Sequence, residues 1–196
     1  LYQSLVLKDG ANGYAFRGLV RAYKRMGRLD EAESWVETYL TEKPFSSAAL
    51  YASGYIFFLK EDIKKAEELF KKALEQDDTN ALALNNLGAI RLSKKSYTQA
   101  VNLVRKAIQI NPKEPMFFKN LETIYKQMGN PSLIITDYNF YLKEKEDLDL
   151  IRGYGMAVGR NMRQASFRLY NKGYLEKTIL KWVEIEKIYK EIDHQS

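Results

Sequence analysis

The chain matches itself at a spacing of 34 residues, and this period limits its folds more than any other feature it has. In that register Ala32, Ala66 and Ala100 coincide, as do Val36, Phe70 and Val104, and Leu40, Leu74 and Ile108. Leu29, Ile63 and Tyr97 form a further apolar set, while Pro44 and Pro112 lie two periods apart with Asp78 in the slot between them. Periods of roughly 20 to 50 residues mark stacked supersecondary units, none of which can bury its apolar face alone. Within a period the spacing is helical. Phe16, Leu19, Val20 and Tyr23 recur at three and four residues, Met26-Gly27-Arg28 supplies a turn, and Leu29 and Ala32 resume the pattern. Each unit therefore reads as a helix, a short turn and a second helix. Small residues at Gly54, Gly88, Ala32, Ala66, Ala73, Ala100 and Ala107 let the two helices approach, with Tyr, Phe and Leu filling the space from the partner. No alternating strand pattern occurs, so the expected class is all-α.

These residues resemble the tetratricopeptide-repeat family, whose sign is a Trp-x2-Leu-Gly-x2-Tyr, Ala-x3-Phe, Pro pattern. Leu84, Leu87, Gly88, Tyr97, Ala100, Ala107 and Pro112 match it best, in a unit spanning 81–114. The unit 13–46 supplies Phe16, Leu19, Tyr23, Gly27, Ala32 and Pro44, but has Val20 in the small slot and Tyr39 in an alanine slot. The unit 47–80 supplies Gly54, Ala66, Phe70 and Ala73. A degenerate unit, 115–148, keeps Leu121, Tyr125 and Gly129 yet carries Ile134 and Tyr141 in both alanine slots. Such bulk is expected to spread or tilt the helices it separates. Residues 1–12 read as the second helix of a truncated preceding repeat, which implies a protein that extends upstream of Leu1. After Leu148 the register breaks. A long amphipathic helix is expected from Leu150 to Tyr170, then a turn at Asn171-Lys172-Gly173. A last helix follows with Leu175, Ile179, Trp182, Ile185 and Ile188 on one face. Residues 149–196 read as a capping hairpin or a divergent fifth unit.

The resemblance implies an α-solenoid wound as a right-handed superhelix, with the first helices of the units lining a concave groove that binds a peptide or partner protein. The expected groove residues are Tyr14, Arg17, Arg21 and Lys24, then Tyr51, Tyr55 and Phe58, then Asn85 and Asn86 with Ala89 and Leu92, then Lys119, Asn120 and Thr123 with Lys126. Arginine grips carboxylates bidentately, asparagine pairs with extended backbone, and aromatic faces pack apolar side chains. An acidic-hydrophobic peptide fits that set. A subset of the family clamps chaperone tails with a lysine-asparagine-asparagine-lysine-arginine set. The matching slots here hold Arg17, Arg21, Ala52, Leu82 and Asn86, so that ligand is not expected. The functional reading is a scaffold or adaptor module of a larger protein or multiprotein assembly, with self-association as a further property.

A second feature competes for attention. Between Ile151 and Leu175 lie Arg152, Arg160, Arg163, Arg168 and Lys172 without any acidic residue, interleaved with Tyr154, Phe167, Tyr170 and Tyr174. This reads as a solvated helix face or a basic docking surface for an acidic protein, and nucleic acid is the rival ligand, since arginine and aromatics also serve phosphates and bases. No RNA-recognition motif accompanies it. Gly153, Gly155 and Gly159 fall in the same stretch, where close helix packing or a bend explains them better than a nucleotide loop, which needs a preceding strand.

Composition narrows the remaining classes. There is no cysteine, so disulfides, thiol catalysis and thiolate metal sites are impossible. The one histidine, His194, reads as a solvated tail residue and cannot build a triad or a multi-histidine metal site. Glu31, Glu33, Glu67 and Glu68 are expected on the solvent faces of second helices, with no pocket to make them catalytic. No enzyme activity, cofactor or metal is expected. Charged residues interrupt every apolar run, so no membrane span is expected. The net charge of +6 favours acidic partners. The compartment stays open, cytoplasm being preferred to periplasm.

Overall fold

The computed structural model describes residues 2–144 and 147–194, except for the side chains at 2, 144, 170, 175, 193 and 194. The side chains of Tyr170, Leu175 and His194, which the sequence reading uses, thus lie outside the described residues. Among the described residues every regular element is an α-helix. In chain order these are α1 (Tyr2–Lys8), α2 (Gly13–Arg25), α3 (Leu29–Glu42), α4 (Ser47–Leu59), α5 (Ile63–Gln76) and α6 (Ala81–Ser93). There follow α7 (Tyr97–Ile110), α8 (Pro115–Gln127), α9 (Leu133–Glu144), α10 (Leu148–Asn171) and α11 (Leu175–His194). The chain forms two compact units, Leu1–Ala107 and Ile108–Ser196.

The period is written into the backbone at both ends of the first helices. Asn12, Ser46, Asn80 and Glu114 stand at successive 34-residue intervals, and each accepts a hydrogen bond on its side chain from a backbone N–H of the first turn it caps. The turns that close α2, α4, α6 and α8 each place one residue in the left-handed region: Gly27 (φ 70°), Glu61 (φ 65°), Lys95 (φ 57°) and Gly129 (φ 78°). The next residue then donates its N–H to a carbonyl five positions back. These bonds are Arg28 to Tyr23 at 2.9 Å, Asp62 to Phe57 at 3.0 Å, Ser96 to Arg91 at 2.9 Å and Asn130 to Tyr125 at 3.0 Å. That pattern satisfies carbonyls that the helix end leaves open. Gly173 (φ 79°) and the 3.0 Å bond from Tyr174 to Leu169 repeat it after α10.

In the unit Leu1–Ala107 the core runs through Phe16, Leu19, Val36, Ala49, Ala52 and Ile56, with Trp35 and Leu40 packed against it. Helix α4 is apolar on nearly every side because it touches α2, α3, α5 and α6. Gly54 lets it close on α5: a Cβ there would stand 2.8 Å from the Phe70 ring. Gly88, one period later, lies under Val104 in the same way, at 2.6 Å. Where the small slot holds Val20, α2 and α3 meet over a smaller area than α4 and α5 do. One period beyond Gly88, the slot holds Glu122, which is buried, and α8 and α9 share a correspondingly small contact.

In the unit Ile108–Ser196 the core is aromatic. Tyr154 is fully buried, meets Phe118 edge-on at 5.0 Å and stacks on Tyr141 at 5.0 Å. Helix α10 approaches α8 so closely that a Cβ on Gly153 would fall 2.2 Å from the Phe118 ring. The Tyr138 hydroxyl donates to Glu191 at 2.9 Å, tying α9 to α11. On α11 the buried side is Thr178, Ile185 and Ile192, while Ile179, Leu180, Trp182 and Val183 face outward. The expected single apolar face through Ile179, Trp182 and Ile185 is therefore split. Ile185 lies one turn on from Trp182, whose half-exposed ring meets Phe167 of α10 edge-on at 6.0 Å.

Candidate functional site

The arginines and aromatics of the first helices meet in the unit Leu1–Ala107. On α2 the Arg17 guanidinium lies over the Tyr14 ring, 5.5 Å from its centre, and Arg21 and Lys24 are exposed. A cavity of about 330 Å³ opens along this helix, lined by Tyr14, Arg17, Gly18, Arg21, Ala22 and Arg25. Gly18 and Ala22 leave the space, and the three guanidiniums give it a positive wall. Arg25 is absent from the sequence reading, although its place four residues after Arg21 puts it on the same helix face.

Tyr51 and Tyr55 of α4 stack with ring centres 6.0 Å apart and planes 7° from parallel. They differ in exposure: Tyr51 is buried, stacked also on Phe70 at 5.9 Å, whereas Tyr55 and Phe58 are half-buried. Burial pushes the Tyr51 hydroxyl far up from its ordinary pKa, with Arg17 and Asn86 pulling the other way. The hydroxyl therefore stays protonated and can donate. On α6 Asn85 is buried and donates from Nδ2 to Asn86 Oδ1 at 3.3 Å. The Nδ2 of Asn86 is itself buried; it makes no hydrogen bond of good geometry, yet lies close enough to the Tyr51 hydroxyl to pull its pKa down.

The other expected positions lie in the unit Ile108–Ser196. On α8 Lys119 and Thr123 are exposed and Asn120 is half-buried, and the Thr123 hydroxyl is taken by the Lys119 carbonyl at 2.8 Å. In the basic stretch the residues scatter. Arg152, Arg168 and Lys172 are exposed, Arg163 donates to the Tyr189 hydroxyl at 3.1 Å, and Arg160 pairs with the buried Glu122 at 2.6 Å. Tyr154 belongs to the core and offers no ring to a base, while Phe167 and Tyr174 remain exposed.

The carboxylates expected on solvent faces divide as well. Glu31 and Glu68 are exposed, but Glu33 and Glu67 turn toward the following first helix. Glu33 pairs with Lys60 at 2.5 Å, and one period later Glu67 pairs with Lys94 at 2.5 Å and with Arg91 at 2.9 Å. Hydrogen bonds from Arg91, Lys94 and Lys71 hold the Glu67 carboxyl well below the usual carboxylate range. A second helix is flanked on two sides in a stack, which is why its charged positions are not all solvated.

Two tetratricopeptide-repeat models match the chain, one over residues 17–81 and the other over residues 57–121. The chain belongs to the tetratricopeptide-repeat family. Its fold is thus the family's all-α solenoid of helix-turn-helix repeats, and the family is one of protein-interaction scaffolds. Similar proteins include the tetratricopeptide repeat-containing protein trd-1 of Caenorhabditis elegans, 31% identical over 48% of this chain and 12% of that protein. The type IV pilus assembly protein PilF of Pseudomonas aeruginosa is 30% identical over 63% of this chain and 49% of its own length. A photosystem I assembly protein, Ycf3 of Prochlorococcus marinus, is 31% identical over 62% of this chain and 66% of its own length. The chain therefore spans only a part of these relatives. A solved structure of the Pseudomonas PilF superposes over 96% of this chain and 99% of that one, with a TM-score of 0.54 at 21% identity, a likeness of fold. Among the described residues no helix is long and apolar enough to cross a membrane.

Proposed function

We propose that this repeat domain is a non-catalytic adaptor that holds an acidic, partly apolar segment of another protein on the face formed by α2, α4 and α6, and so serves the assembly of a multiprotein complex. One observation carries the reading. Arg17, Arg21 and Arg25 line an open cavity on α2 in the same unit as the half-buried rings of Tyr55 and Phe58 and the half-buried amide of Asn86. Carboxylates suit the first group, apolar side chains the second and a peptide carbonyl the third. Two relatives with assembly in their names, for pili and for photosystem I, support the general role. We assign the repeats to 13–46, 47–80, 81–114 and 115–148, flanked by the segment 1–12, which carries α1, and by the hairpin 149–196. Lys119, Asn120 and Thr123 offer a separate polar set on α8 of the other unit.

The test is an affinity capture from source-cell lysate, with and without nuclease, comparing the parent chain with an Arg17→Glu, Arg21→Glu variant. A nuclease-resistant protein captured by the parent and lost in the variant is the expected outcome. Recovery that depends on intact nucleic acid and ignores the double substitution would transfer the function to the basic stretch of α10.

A further inference from the structure

The unit Ile108–Ser196 has a cavity of its own, of about 350 Å³, where the N-terminal end of α8 meets the first half of α10. The buried Phe118 ring lies under Gly153 at its base, and its accessible apolar walls are Pro112, Pro115 and Met156. Met156 is 41% exposed, a large apolar side chain at the mouth. A side chain at residue 153 would collide with the Phe118 ring, so the glycine is what lets α10 close on α8 beside the cavity.

The rim is basic but largely spoken for. Lys113 pairs with Asp149 at 3.2 Å, and Arg160 gives Nε and Nη2 to Glu122. Arg152 is exposed and forms no ion pair with any described residue, so it is the surplus charge of the mouth. The Glu122–Arg160 pair exists because a carboxylate occupies the slot that Gly88 fills one period earlier. A charge in that slot is stranded without a cation, and Arg160 reaches it from α10. The pair fixes the α10 side of the cavity against α8.

We infer that this cavity is a second binding site, independent of the α2–α4–α6 face, for one large aliphatic or aromatic side chain of a partner peptide with a carboxylate directly beside it. The apolar floor and walls take the side chain, and Arg152 takes the carboxylate. The volume is at the lower end of the roughly 300 to 1,000 Å³ of ligand pockets, which suits a single side chain and not a helix or a folded surface. One arginine that pairs with no described carboxylate, beside an apolar well, selects an acidic neighbour by charge complementarity.

The experiment follows the Met156 methyl resonance in methyl-labelled full-length protein carrying Arg17→Glu and Arg21→Glu, so that the α2 face is silenced. The probe is the peptide Asp-Glu-Leu-Phe-Asp-Glu, with Asp-Glu-Ala-Ala-Asp-Glu as control. Saturable movement of the Met156 signal by the first peptide alone is expected, with affinity lowered about ten-fold or more by Arg152→Glu. A Gly153→Ala chain is unsuitable because it endangers the fold, so Met156→Glu serves as the second variant, read by peptide fluorescence anisotropy. It is expected to abolish binding while leaving the helical circular dichroism unchanged. No movement, equal movement by both peptides, indifference to Arg152→Glu, or a response to a single-stranded RNA oligonucleotide in place of the peptide would each overturn the assignment.

Discussion

Four residues one period apart do the same conformational work with different chemistry. Gly27 and Gly129 enter the left-handed region without a Cβ penalty, whereas Glu61 and Lys95 enter it with one. Glu61→Gly and Lys95→Gly are therefore expected to stabilise the protein by about 0.5–1 kcal/mol each, a rise of a few degrees in Tm measurable by thermal melts. Gly27→Ala is expected to do the reverse. At Gly153 the reason is space instead of φ: alanine gains helix propensity but drives a methyl into the Phe118 ring. Gly153→Ala is expected to lower stability by about 1–3 kcal/mol, since overpacking outweighs the propensity gain. The period showed Gly27 and Gly129 as turn residues, but nothing in the spelling of Glu61 or Lys95 announces a positive φ. Only their register with the two glycines does. Glu122 was legible by the same comparison, being a carboxylate in a slot that a small residue occupies one period earlier, yet its partner Arg160 lies on a helix outside the 34-residue register.

At the scale of the helix, start and stop signals account for most of what composition and spacing made readable. Asn12, Ser46 and Asn80 cap successive first helices, and Asn80 also donates from Nδ2 to the Ser47 hydroxyl at 2.9 Å, linking its cap to the previous one. Asn80→Ala removes both contacts and is expected to cost about 1–2 kcal/mol in chemical denaturation. The ties between neighbouring hairpins were less readable because they depend on which side of a second helix the next hairpin covers. Glu67 shows this. Its carboxyl is depressed by Arg91, Lys94 and Lys71, so it binds a proton less readily folded than unfolded. Its contribution is fully present above the ordinary carboxylate pKa, begins to shrink as pH falls through the carboxylate range, and is gone only below that range, where the folded carboxyl itself takes a proton. Glu67→Gln is expected to destabilise by about 1 kcal/mol at neutral pH, with parent and variant converging toward pH 3 and at high salt. A constant difference between pH 7 and 3 contradicts the ion-pair account. The α11 face divided for a related reason: helical spacing identifies its apolar residues, but only the position of α10 decides which of them are covered.

For the whole molecule, periodicity was enough to place the chain in its family, because a solenoid is built from local hairpins whose geometry is encoded within each repeat. Function is less local. The α2, α4 and α6 positions follow from the family resemblance, yet the structure distributes them between core and surface, with Tyr51 and Asn85 inside and Arg21, Lys24 and part of Tyr55 outside. The cavity along α2 and the second one beside Phe118 depend on small residues and on neighbouring helices, so neither is visible along the chain. The central claim is that the α2–α4–α6 face receives a protein segment. The most direct test places a photo-crosslinking amino acid at Tyr55, and separately at exposed Glu68 on α5 as an outer-face control, then identifies the captured products by mass spectrometry after irradiation in source-cell lysate. The account predicts peptides rich in Asp and Glu with neighbouring apolar residues from position 55, lost on Arg17→Glu, Arg21→Glu substitution, and no such products from position 68. Equal capture at both positions, or products that are nucleic acid, would contradict it.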